Sequence, residues 1–163
     1  MKNASRISLT ALTLALASTW LTACEQAPPA APFKSVTDMR QFMEWVLDPV
    51  ADELWASVGI IIDEKGETRI EPKTDAEWAQ VRNNAAIIAE AANLLMLDSR
   101  AKDREGWMIA ARGLIDQAER AIKAAEAKDA DALFTANSDV FLACTECHKT
   151  YAFSTPAEAA DAK

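Results

Sequence analysis

The segment Cys144-Thr145-Glu146-Cys147-His148 constrains this 163-residue chain more than any other. On a helix its two thiols and its imidazole stand at i, i+3 and i+4 and project to one side. Two cysteines at this spacing, followed directly by histidine, form the pattern for covalent attachment of a c-type haem. The thiols add across the vinyl groups and the imidazole ligates the iron. A fold built around such a segment must leave room for a macrocycle beside one helix. His148 is the only histidine, so a second imidazole ligand would have to come from another chain. The sixth iron position then falls to methionine, another weak ligand, water or nothing. Zinc needs about four ligands, more than this chain supplies once Cys24 is committed elsewhere. A thioredoxin-like pair needs a strand–helix context, whereas this region has helical period throughout. A structural disulfide here would close a tiny loop and stabilise little. A redox-active or structural disulfide is the alternative that stays open beside haem.

The N-terminus points to a compartment. Residues 1–23 carry a basic start (Lys2, Arg6), an apolar run from Ile7 to Leu21, and small residues before Cys24. The run is short for a membrane span and has the proportions of a secretory signal. Leu21-Thr22-Ala23-Cys24 is similar to a bacterial lipobox, which implies lipidation of Cys24 at a new N-terminus. An ordinary cleaved signal is the plainer alternative. Glu25 stands where many inner-membrane lipoproteins have aspartate, so the resemblance favours the outer membrane. Haem attachment and export agree, because bacterial apocytochromes c receive haem after crossing the membrane.

One domain's length of chain follows the signal. Residues 24–34 are expected to be a lipid-anchored Pro/Ala tether, 35–155 a four-helix haem-binding domain, and 156–163 a disordered polar tail. Losing Lys2 and Arg6 with the signal takes the formal charge from −8 to −10. Such acidity argues against nucleic acid and is compatible with docking to a basic redox partner.

Hydrophobic period places four helices in this domain. The first is expected to start at Ser35 as N-cap with Asp38 three residues on. Its face is Val36, Met39, Met43, Val46, Val50 and Leu54. Pro49 should either kink it or stop it near Leu47, with Asp48 capping a restart, and Gly59 should end it. Ile60-Ile61-Ile62, the turn residues Asp63 to Gly66, and Thr68-Arg69-Ile70 predict a small β-hairpin. The second helix starts at Thr74 with Glu77 completing a capping box, and its face is Trp78, Val81, Ala85, Ile88, Ala92 and Leu95. The third runs from about Asp103 to Lys128 with Trp107, Ala111, Leu114, Ala118, Ala121 and Ala125 inward. Its Arg112, Asp116, Glu119, Arg120 and Lys123 form a solvated face. The fourth runs from about Asp131 with Leu133, Asn137, Val140, Cys144, Cys147 and Tyr151 on one stripe. Alanines on the second and third helices leave space that Leu or Phe would fill. Trp45, Trp55, Trp78 and Trp107 are read as buried anchors. The fold class is therefore all-α, an antiparallel four-helix bundle with a β-hairpin between helices 1 and 2.

With Cys144, Cys147, His148 and Tyr151 near its end, the chain resembles the class II cytochromes c, the cytochrome c-prime group and its low-spin relatives. The resemblance covers roughly residues 35–153. It implies one covalent haem c, with His148 as proximal ligand and Tyr151 beside the cofactor. It also implies a first helix over the distal face, where an Arg-Gln pair is followed by the group above the iron. Arg40-Gln41 is the matching pair, and Arg40 is implied as a propionate partner. Helical spacing from Arg40 would set Glu44 over the iron. A methionine is the more sensible occupant, so Met43 is the expected distal ligand and Met39 the second choice. The chain departs from the pattern at Ala152, where relatives carry Arg or Lys, and in the hairpin insertion.

Three roles follow as expectations: electron transfer with His and Met on the iron, binding of NO or CO at a five-coordinate iron, or haem as a staple in an interaction domain. Electron transfer is preferred. No acid–base constellation stands near the motif, so no enzymatic turnover is expected. A redox protein, the membrane through the lipid anchor, and a second copy of the chain are the expected partners.

Overall fold

The structure, a computed structural model, describes residues 33–152. The expected signal, Cys24, most of the tether, and the tail lie outside the described residues. The fold is mostly helical with one small two-stranded antiparallel sheet. In order, α1 is Met39–Phe42, a π-helical turn is Met43–Leu47, and α2 is Asp48–Ala56. Then follow β1 (Gly59–Asp63), β2 (Gly66–Ile70), α3 (Asp75–Leu95), α4 (Gly106–Ala127) and α5 (Ala130–Tyr151).

The first helical stretch corrects several expectations. Its cap is Asp38, not Ser35. The Asp38 carboxylate accepts from Gln41 N at 2.8 Å, and Gln41 Oε1 accepts from Asp38 N at 3.2 Å. This reciprocal box satisfies two amide donors that a helix start leaves orphaned. Ser35 instead shares a hydrogen bond with Ser99 at 2.6 Å, and Val36, ahead of the helix, is 87% exposed. The stretch does not stop at Leu47, and Asp48 makes no side-chain cap. Pro49 has no N–H for the Trp45 carbonyl, and its ring would crowd that carbonyl in an α-helix. The wider turn just upstream absorbs the conflict, with Asp48 N–H reaching back to Met43 O. The helix ends at Ala56, with Ser57 donating to Leu54 O, and Gly59 opens β1 rather than ending the helix.

The hairpin forms where the sequence predicts it, with Gly59 opposite Ile70 and Asp63 opposite Gly66. The Asp63 carboxylate takes Lys65 N–H at 2.8 Å, and Gly66 adopts a φ of 117° that favours glycine. Both strands lie almost wholly exposed, and Arg69 pairs with Asp131 at the start of α5.

The long helices follow their stripes closely. Thr74 and Glu77 make the expected capping box. All six predicted inward residues of α3 and all six of α4 are buried. The predicted charged face of α4 is exposed. Lys128 turns the chain in the left-handed region (φ 54°), and Asp129 caps α5 by accepting Ala132 N–H at 2.9 Å. α4 packs against both α3 and α5, while α2 packs on α3. Leu54, Ile88, Leu133 and Val140 form the fully buried centre, each worth roughly 1.5–3 kcal/mol of apolar burial. Asn137, also buried, donates to the Leu54 carbonyl at 2.7 Å, tying α5 to the last turn of α2. Among the described residues no helix is long and apolar enough to cross a membrane.

Candidate functional site

A cleft of about 820 Å³, counting its open mouth, lies along the inner face of α5. From α5 it is lined by Val140, Cys144, Thr145, Cys147 and His148, among others. Met43 and Leu47 of the π turn face it, together with Asp48, Ala51 and Trp55 of α2. Ile88 and Leu95 of α3 and Trp107, Ala110, Ala111 and Leu114 of α4 complete the wall. The helical stripes on α3 and α4 put aliphatic groups inward, and the small residues Ala51, Ala110 and Ala111 keep the space open. All three functional groups of the sequence motif thus share one cavity with Met43.

The cleft is electrostatically sparse. No Lys or Arg lines it, and Asp48 is its one carboxylate. Burial pushes the Cys144 thiol up to about 11, with Cys147 and the Asp48 carboxylate adding to the effect. Burial raises Cys147 as well. Both cysteines are free thiols, partly buried. A catalytic redox pair needs a lowered thiol pKa for its attacking thiolate, the reverse of what this apolar cleft imposes.

Tyr151 does not reach the cleft. Its hydroxyl donates to Asp103 Oδ2 at 2.5 Å, and its ring meets Trp107 edge-on with centroids 5.0 Å apart. Asp103 also accepts from Glu105 N at 2.9 Å and Trp107 N at 3.0 Å, binding the start of α4 to the end of α5. Trp107 in turn donates from Nε1 to Leu95 O at 2.7 Å. The hydrogen bond from Tyr151, with those from the backbone, lowers the Asp103 pKa. The same bond holds the phenol up at about 12. Tyr151 therefore acts on the cleft through Trp107, which lines it.

Arg40 and Met39 also stand apart from the cleft lining. The Arg40 side chain is 83% exposed and pairs with Glu44 one helical turn on, at 2.9 Å. The Asp38–Gln41 cap sets this register, so Arg40 points to solvent rather than toward a cofactor carboxylate in the cleft. Met39 packs against the core as a partly buried residue. Trp78 and Trp107 are the buried anchors expected, Trp55 is partly buried, and Trp45 is 62% exposed, because the π turn swings it outward. Leu47 and Asp48 were not legible as cleft residues, since a plain 3.6-residue period cannot register the extra residue in the π turn. Asp103 lies 48 residues from its partner Tyr151, and no local signal links the two.

The chain matches no family model, no curated protein and no solved structure. What defines it is its own geometry: a mostly helical domain with an apolar cleft that gathers two thiols, an imidazole and a thioether.

Proposed function

We propose that the protein is a monohaem c-type cytochrome that carries electrons on the periplasmic side of a bacterial membrane. The observation that carries this reading is the shared cleft, with Cys144, Cys147 and His148 on one wall and Met43 on the facing helical stretch. Its volume falls within the roughly 300–1,000 Å³ of cofactor pockets, and its donors suit a haem. The thiols of Cys144 and Cys147 would hold the macrocycle edge as thioethers. The His148 imidazole would be the proximal ligand and the Met43 thioether the distal one. Leu47, Leu114 and Trp107 exclude water around them. Once bound, the haem supplies a one-electron couple at its iron, whose potential a methionine ligand raises. The helical stretches are read as an antiparallel four-helix bundle, supported by the packing of α2 on α3, of α3 on α4, and of α4 on α5. The family reading, the lipid anchor at Cys24, the outer-membrane preference, the redox partner and pairing with a second copy are parts of the same proposal, motivated by the sequence.

The optical spectrum of the haem-loaded protein tests it. A low-spin spectrum with the weak red methionine–iron band and sluggish CO binding is expected. A high-spin ferric spectrum with prompt CO binding would replace electron transfer by NO or CO binding. Absence of covalent haem would overturn the whole reading.

A further inference from the structure

We infer that the π turn Met43–Leu47 is a register device that presents Met43, rather than Glu44, to the cleft. The inference deepens the proposed function, and rests on it only for its spectroscopic arm. Leu47, Ala51 and Leu54 are buried at α-helical spacing and set the direction of the core below the turn. Counting back from Leu47 at about 100° per residue, an unbroken α-helix would set Glu44 about 60° from that line and Phe42 about 140° away. Phe42 would leave the core and Glu44 would approach the cleft. The molecule does the opposite. Phe42 is 2% exposed and lies under the Arg100 guanidinium at 4.3 Å, while Glu44 is 50% exposed and paired with Arg40. The spacing between the buried Phe42 and Leu47 is five residues instead of four, and the bond from Asp48 N–H to Met43 O spans the same five. One residue more than an α-helical turn holds is thus accommodated, and Trp45 takes the outward position at 62% exposure. Single π turns of this kind often occur at functional sites. Here the turn reconciles a methionine one position early with a core line that would otherwise turn a carboxylate inward.

The test uses the full haem-loaded chain. Deleting Glu44 removes the extra residue and leaves Phe42 and Leu47 four apart. The melting temperature should stay within about 5 °C or rise, and the methionine–iron band should persist. Deleting Glu53, equally exposed but within α2, turns Leu54 by about 100° out of the core and should lower melting by about 10 °C or more. In the swap, Met43→Ala with Glu44→Met should lack the methionine band, as Met43→Ala alone does. The inference is overturned if the two deletions are equally damaging, or if Glu44→Met restores the band. A wild-type protein with no such band would remove Met43 as ligand, and the pair of deletions would still decide the register.

Discussion

Gly106 and Tyr151 show how much one atom decides at the residue scale. A Cβ on Gly106 would come within 2.6 Å of the Tyr151 hydroxyl, which Asp103 holds in place. Gly106→Ala should therefore destabilise the protein, although alanine is the better helix former by about 0.5–1 kcal/mol. In a Tyr151→Phe background the hydroxyl is gone, and the same substitution should stabilise by up to about 1 kcal/mol. Melting curves of the four proteins check this, and a cycle with no change of sign would reject the contact. The same pair sets a pH dependence. The phenol's folded pKa, about 12, exceeds its model value of 10, so its contribution is whole below pH 10 and is lost as pH rises through about 12. Asp103 is lowered, so its contribution is present above the usual carboxylate range and is lost as pH falls through its depressed value. Tyr151→Phe should flatten the alkaline limb of a stability–pH profile. The sequence marks Tyr151 by its place after His148, yet its partner Asp103 is fixed by a contact across 48 residues, which no spacing rule reads.

At the scale of elements, legibility follows how local the physics is. Thr74 and Glu77 meet within one turn, so their capping box is readable from four residues. Ser35 and Asp38 illustrate the limit: both fit a cap, and the Gln41 side chain decides for Asp38 by closing the reciprocal bond. The stripes of α3 and α4 repeat at the α-helical period and were read without error. The first stretch has an inserted residue, so its true core line of Phe42, Leu47, Ala51 and Leu54 escaped a constant period. The hairpin was legible from its turn residues and β-branched strands, whereas its exposure was not. Ile62 is 79% exposed, so Ile62→Lys should change stability by less than about 0.5 kcal/mol. Chemical denaturation measures it, and a loss of several kcal/mol would mean the hairpin is covered in solution.

The whole molecule carries a formal charge of −8, or −10 without Lys2 and Arg6, and no basic side chain lines the cleft. A cationic reductant should therefore reduce the haem-loaded protein faster than an anionic one of matched potential. That advantage should fall as salt rises; stopped-flow rates that ignore ionic strength would contradict an acidic docking surface. By itself the sequence determined the helical periods, the hairpin and the thiol–imidazole triplet, because each depends on neighbours within a turn or two. Only the tertiary structure decided that Met43 shares the cleft while Arg40, Met39 and Tyr151 do not. Those placements depend on a π turn and on contacts between helices, where side chains distant in sequence compete for the same volume.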